Sequence, residues 1–352
     1  MKILFLSHTH YGSHFRVGSH HLYEQFAKYG IEVKHVSTPF SILHFLAANL
    51  IKRNDVDFTL RRKLALKKSM KNSIVPITIF PSNFRISQFF PGNQLKQLFQ
   101  ESWDFILVDQ PMFFRFANLF SKDSKVVLRL TDIPSSGIAH LINRFKSKIS
   151  GVIVTNRLIM NYIAVDNIPY YVCRNGYDYD STVQNAPRAK RKGMVYIGAI
   201  DDRFDFDFIH ELSYSSNFEF IHLYGIGKIP KNLPINVSYL GVLDHSKISA
   251  VCSSYEFGIL PFRHTTRNFG RSPIKLAEYV ASGLDILMPG FLLPFYFNNS
   301  SEYAHPPINA RDFGRVDSGI VEIGNDELHT SFSSWEFLAK DLLKFLEGIN
   351  NK

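Results

Sequence analysis

Along this chain, short runs of apolar residues alternate with longer stretches in which apolar positions recur every three or four residues. The short runs read as strands buried on both faces, and the periodic stretches as helices with one covered side. In the first half, Lys2–Ser7, Ile31–Ser37, Trp103–Asp109, Lys125–Leu130 and Gly151–Thr155 have the strand pattern, and Gly18–Tyr29 the helical one. In the second half the strands are Met194–Gly198, Phe218–Tyr224, Asn236–Leu240, Tyr255–Leu260 and Leu284–Met288, with a helix over Asp205–Leu212 and another following Pro273. From Ser333 to Leu346, Trp335, Leu338, Leu342, Leu343 and Leu346 line one side of a final helix that Ser333 or Ser334 can cap. Such alternation predicts an α/β protein whose parallel sheets are covered by helices.

A length of 352 residues suits two domains of ordinary size better than one. The content of 45% hydrophobic and 14% aromatic residues is enough for two cores. Asn175-Gly176 marks a turn that closes the first half, and Ser181–Lys192 is polar, basic and without apolar periodicity. The expected division is a first domain at 1–180, a linker at 181–192, a second domain at 193–332 and a terminal helix at 333–352. The two cysteines, Cys173 and Cys252, lie far apart and lack metal-type spacing, so neither a disulfide framework nor a zinc site is expected and a reducing cytosol fits. The apolar run at the amino terminus is too short for a signal peptide, and no window is long enough to span a bilayer, which points to a cytoplasmic protein.

Charge is uneven. Residues 1–180 carry 23 Lys and Arg against 12 Asp and Glu, while residues 181–352 carry 17 against 19. Lys52–Lys71 alone holds eight basic residues and two acids, directly after the apolar stretch Ile42–Ile51. An apolar anchor beside a cationic face suits the anionic leaflet of a membrane. A solvated helix and a nucleic-acid patch are open on the same grounds.

The densest chemistry lies in Arg271–Gly290, which reads as a polar loop, a helix and a buried strand in succession. Pro273 suits a first helical turn and Gly283 the position past its end. A helix start offers unpaired N–H groups and partial positive charge to a diphosphate, and Lys275 adds a full charge. Glu278, on the same face, is placed to accept hydrogen bonds from ribose hydroxyls. Gly225-Ile-Gly227 closes another strand where backbone can approach a phosphate, as does Gly198. Arg263, Arg267 and Arg271 recur every four residues, either to clamp an anion or as one exposed helical face.

The segment Ser272-Pro-Ile-Lys-Leu-Ala-Glu-Tyr-Val-Ala-Ser-Gly283, preceded by the strand Tyr255–Phe262, resembles the nucleotide-diphosphate segment in the carboxyl-terminal half of GT-B glycosyltransferases. The likeness is nearest to the xanthan-type membrane-associated glucuronosyltransferase and to capsule and teichuronic-acid enzymes. It implies two doubly wound, Rossmann-like domains facing a cleft, a sugar-nucleotide donor and a glycan or lipid-linked acceptor. The implied donor site comprises Gly198, Gly225, Gly227, Arg263, Arg271, Ser272, Ile274, Lys275 and Glu278. A lipid-linked acceptor favours the membrane over nucleic acid as partner of the basic segment, with the chain peripheral on the inner face. The Asn175-Gly-Tyr-Asp178 stretch is similar to the exit from the first GT-B domain, and the final helix is expected to pack back on that domain.

Asp132 follows the strand Lys125–Leu130, where open α/β sheets bind ligands, and is the expected general base, as in the xanthan-type enzymes. Capping of a helix near Pro134 is its structural alternative. The loop Ser7–His21 holds five histidines. His8 is the second candidate base, since several GT-B families use a histidine there, and His14, Arg16 and His20 are candidates for acceptor binding. Retaining GT-B enzymes carry a glutamate where this chain has Gly270, which favours inversion. Asp205-Phe-Asp207 imitates a metal-binding motif but sits at a helix start, so neither a metal nor a cofactor is expected. Two other readings share the fold: a non-catalytic scaffold of a polysaccharide-assembly complex, and a sugar-nucleotide epimerase.

Overall fold

The computed structural model describes residues 1–11, 16–50, 73–82, 84–165, 167–178, 190–215, 219–296, 319–325 and 332–350. Gly12 and His14, the basic run at 52–71 and residues 181–189 of the expected linker lie outside them. The chain divides into two compact units. Unit 1 is Met1–Val154, Ile159–Cys173 and Ala339–Lys352; unit 2 is Thr155–Leu158 and Arg174–Leu338. The first crossing falls at Val154, and the main one at Cys173 rather than at 180.

Unit 1 is built on β1 (Lys2–Leu6), β2 (Glu32–Val36), β4 (Ser73–Ile74), β6 (Phe105–Val108), β7 (Lys125–Leu130), β8 (Ile149–Val154) and β9 (Tyr170–Val172). They form a seven-stranded sheet in the order β4-β2-β1-β6-β7-β8-β9. Every pairing in it is parallel. A small second sheet pairs β3 (Phe40–Ser41) with β5 (Ile77–Thr78). Helices α1 (Gly18–Lys28), α2 (Ile42–Leu50), α3 (Asn93–Gln100) and α4 (Ser136–Arg144) belong to this unit. β6 is buried at every position, which is why its pattern is a continuous apolar run and not an alternation. Leu95, Phe99, Trp103, Phe113 and Phe116 pack with β1, β6 and β7 in one core.

Unit 2 has six strands in the order β12-β11-β10-β13-β14-β15. They are β10 (Met194–Ile197), β11 (Ile221–Tyr224), β12 (Val237–Tyr239), β13 (Phe257–Ile259), β14 (Asp285–Pro289) and an antiparallel edge, β15 (Ile320–Ile323). Its helices are α5 (Phe206–Ser215), α6 (Ile248–Cys252), α7 (Thr266–Phe269), α8 (Ile274–Ala281) and α9 (Leu293–Tyr296). Asp205 caps α5, its carboxylate accepting from the Asp207 N–H at 3.0 Å. This gives the Asp205-Phe-Asp207 triplet a local structural task. Both cysteines are buried thiols.

The last helix, α10 (Trp335–Asn350), is capped by Ser334, whose hydroxyl accepts from the Phe337 N–H at 3.2 Å. From Ala339 onward it belongs to unit 1. There Lys125 Nζ donates to the Ile349 carbonyl at 2.7 Å, and Tyr171 OH donates to Asp341 at 2.9 Å. Gly151, on β8, lies so close beneath Ile349 that a Cβ at this position would overlap the isoleucine side chain.

Candidate active site

In unit 2 the strand order reverses beside β10, which is flanked by β11 on one side and β13 on the other. Open α/β sheets bind ligands at the carboxyl ends of strands at such a switch point. Gly198 follows β10, and Gly225 and Gly227 follow β11. Gly225 lies so close to the Gly198 carbonyl that no side chain fits. Its N–H donates to the Gly241 carbonyl at 2.8 Å, and its own carbonyl accepts from Tyr239 OH at 2.7 Å.

Helix α8 opens at the same edge. Pro273 occupies the position just before its first residue and supplies no side-chain cap. Gly283 takes φ +75° just beyond the helix, the conformation that glycine reaches at little cost. Lys275 projects from the first turn to Gly198, where a methyl group would collide with its ammonium. Its Nζ donates to Tyr196 OH at 2.9 Å and stands 4.5 Å from the Tyr196 ring centre and 5.1 Å from that of Phe262. Burial pulls its pKa down, and Arg271 and Arg203 pull it further, to about 7. The pocket thus presents a poorly solvated amine in a cationic field, which favours a multiply charged anion.

Around this lysine, Glu278 Oε1 lies 3.3 Å from His245 Nε2. The loop ahead of α8 is anchored by Asn175: its N–H donates to the Ser272 hydroxyl at 3.0 Å, and its side-chain amide donates to the Ser272 carbonyl. A pocket next to this loop is lined by Asn156, Arg174, Arg271, Ser272, Tyr296 and Phe332, among others. Ile274 is half-buried at the helix start. Of the three spaced arginines, Arg271 stands with Lys275, whereas Arg263 and Arg267 are exposed, the latter paired with Asp202 at 2.7 Å. The four-residue spacing therefore does not put all three into one clamp.

At the carboxyl edge of the unit 1 sheet, His8 follows β1, Asp109 follows β6 and Asp132 follows β7, on three adjacent strands. Asp109 is buried, bonded to the buried Arg129 guanidinium on β7, and its other oxygen lies 3.5 Å from His8 Nδ1. Burial works to raise the Asp109 pKa, but Arg129 and His8 outweigh it and hold the carboxyl far below its usual range. Burial likewise works to lower His8; the Asp109 carboxylate beside it, with a contribution from Asp132, leaves it above its ordinary value. Asp132 itself is exposed.

The two other described acceptor candidates are engaged within unit 1. Arg16 pairs with Glu24, which also accepts from Tyr11 OH at 2.7 Å. His20 is buried on α1, with Nε2 3.2 Å from the Thr9 carbonyl and its ring against His35 and Tyr11. Burial lowers its pKa to about 4, so it is a neutral core residue at physiological pH and does not offer charge to an acceptor. The sequence reading missed Asp109, Arg129, Tyr196, Asn175 and His245. A signal existed for two of them: an arginine inside an apolar strand, in Lys125–Leu130, demands a buried partner.

Asp109→Ala should lower stability by about 3 kcal/mol, because it leaves Arg129 buried and unpaired. Replacing both by leucine and methionine should cost clearly less, and urea denaturation of the two variants makes the comparison.

Two Rossmann-like units, each presenting charged groups at the carboxyl edge of its sheet, define the GT-B fold of glycosyltransferases. Three similar solved structures carry this fold. HepE from Anabaena, solved with UDP and glucose, is 15% identical over 81% of this chain and 80% of that one, with a TM-score of 0.52. The lipopolysaccharide outer core galactosyltransferase WaaB is 11% identical over 99% of this chain and 100% of that one, with a TM-score of 0.59. The pneumococcal O-GlcNAc transferase GtfA, solved with UDP and GlcNAc, is 10% identical over 100% and 99%, with a TM-score of 0.57. No protein-family model matches the chain, and no curated protein matches it in sequence.

Proposed function

We propose that this protein is a glycosyltransferase that moves a sugar from a nucleotide donor, a UDP-sugar, to a hydroxyl of a glycan or lipid-linked acceptor in surface-polysaccharide assembly. The observation that carries the reading is Lys275, a desolvated amine at an uncapped helix start, with Arg271 and Glu278 beside it. Diphosphate oxygens would take the α8 N–H groups and Lys275, and ribose hydroxyls would donate to Glu278. The same charges stabilise the nucleotide diphosphate as it leaves the anomeric carbon. Arg174 and Arg271 in the adjoining pocket favour a uronate such as glucuronate on the donor. HepE and GtfA, with their bound UDP, support the choice of nucleotide.

Inverting transfer requires a base for the acceptor proton as its oxygen attacks. His8 is the better candidate, because Asp109 orients its ring through Nδ1 and stabilises the imidazolium that proton transfer creates, leaving Nε2 to receive the proton. Asp132 is the second reading, favoured by its exposure just past β7, two strands from β1, and by the likeness to xanthan-type enzymes. The basic run 52–71 would draw the protein to the inner face of the membrane, where a lipid-linked acceptor resides.

Thermal unfolding with a panel of UDP- and GDP-sugars is the direct test. A UDP-sugar should raise the melting temperature, and free UDP should be released only when acceptor is present. Interconversion of UDP-sugars with no net release of UDP points to an epimerase. Stabilisation with neither release nor interconversion fits the scaffold.

A further inference from the structure

Strand β10 (Met194-Val-Tyr-Ile197) is buried at every position, so the one hydroxyl on it needs a reason. Tyr196 is 0% exposed, and a phenylalanine would fill its place without taking a polar group out of water. Two partners meet that hydroxyl. It donates to the Ala199 carbonyl at 2.7 Å and accepts from Lys275 Nζ at 2.9 Å. The bond to Ala199 fixes where the phenol hydrogen points and leaves the oxygen's lone pairs to the lysine. The ring is fixed as well, edge-on to Phe204 with centres 4.8 Å apart. Burial raises the pKa of the phenol, so it stays neutral while the lysine titrates. A Cβ at Gly198 would collide with the amine and lie 3.1 Å from the hydroxyl, so the glycine leaves room for the pair.

Charge around the lysine is arranged to the same end. Asp201 and Glu278 are the carboxylates near enough to favour its cationic form, and Arg271 and Arg203 the cations near enough to oppose it. Both carboxylates are engaged elsewhere: Asp201 Oδ1 accepts from Arg203 Nε at 2.8 Å, and Glu278 Oε1 lies 3.3 Å from His245 Nε2. Among the described residues Lys275 forms no ion pair; its partners are the Tyr196 hydroxyl and the rings of Tyr196 and Phe262. An amine paired with a carboxylate must give up that pair to hold a phosphate. A hydroxyl and two ring faces place the amine and leave its charge available.

We propose that Tyr196 is a positioning residue of the donor site, whose hydroxyl holds the Lys275 amine at the carboxyl end of β10, free of any carboxylate, until a donor diphosphate takes up its charge. The inference rests on the nucleotide-sugar reading of this site. Tyr196→Phe tests it, because it removes the hydroxyl and keeps the ring. In ligand-free protein carrying 13C at the lysine Cε positions, the Lys275 signal is the one lost in Lys275→Met. It should titrate about one pH unit lower in Tyr196→Phe than in the parent, since the cation loses a hydrogen bond. UDP affinity, measured by calorimetry, should then fall about tenfold at pH 8, where less of the cation remains, and less than about threefold at pH 6. In the Lys275→Met background, adding Tyr196→Phe should change UDP affinity at neither pH, which separates the lysine from the Ala199 carbonyl that the hydroxyl also serves. An unmoved Lys275 titration in Tyr196→Phe overturns the proposal. So does an equal loss of UDP affinity at both pH values, the result of a tyrosine that only packs. A parent protein that binds no UDP while the titration moves as expected would overturn the nucleotide-sugar reading instead, and leave the pairing of Tyr196 with Lys275 standing.

Discussion

Replacing His8 by alanine should reduce turnover by about 10²–10⁴-fold, the usual contribution of a positioned general base. Donor affinity should stay the same. The side chain leaves a loop of unit 1, whereas the groups proposed to hold the nucleotide all belong to unit 2. The pH profile makes the result specific. His8 has to be neutral to accept a proton, and Asp109 lifts its pKa above the ordinary value, so activity should rise with pH through the neutral range. Asp109→Asn removes the negative charge that holds that value up. The rising limb should then move to lower pH while the maximal rate falls, because the imidazolium loses its counter-ion. Asp132→Asn should cost turnover much less. If Asp132→Asn abolishes turnover while His8→Ala retains it, the carboxylate is the base.

The second large effect is expected at Lys275. Lys275→Met should weaken UDP binding about 100-fold, since a charge-assisted pair in a poorly solvated pocket is lost. The ligand-free variant should nonetheless be more stable than the parent. The folded pKa of Lys275 is about 7, against about 10.4 for a lysine in an unfolded chain. Between these values the unfolded chain binds more protons, so this lysine makes stability rise with pH across that window, and its full penalty applies below it. Removing the amine should recover ~2 kcal/mol at neutral pH, a figure kept below the full shift because the side chain is only partly screened from solvent. The pH dependence of binding follows the same group. Above pH 7 the free lysine is largely neutral and has to take up a proton when a diphosphate arrives. Calorimetry at pH 8 in buffers of different ionisation enthalpy should therefore detect proton uptake by the parent and none by Lys275→Met. Equal uptake by both would assign the proton to another group.

Much of helix α8 was legible because its signals are local. Pro273, the apolar positions Leu276, Ala277 and Val280, and Gly283 each act within a few residues, and the helix runs from Ile274 to Ala281 as they require. The central strands of both sheets were legible for a similar reason: a doubly covered parallel strand leaves little room for polar side chains, whereas the short edge strands β4, β9 and β15 have no such pattern and were not read. The Asp109–Arg129 pair was not, because its members are separated by 20 residues and meet only when β6 and β7 align. The same holds for Lys275, whose partner Tyr196 is on a strand 79 residues earlier. His20 misled in the opposite direction. A histidine next to a polar loop reads as a surface ligand, yet it faces inward from α1, where rings and not charges surround it.

The placement of α10 has a consequence for biogenesis. Unit 1 begins at residue 1 yet needs residues 339–350, which the ribosome makes only after all of unit 2. Until then the strip of β8 around Gly151 and the side chain of Lys125 wait without Ile349. The domain begun first is therefore finished last, and a nascent chain spends most of its synthesis with an open seam for chaperones to shield.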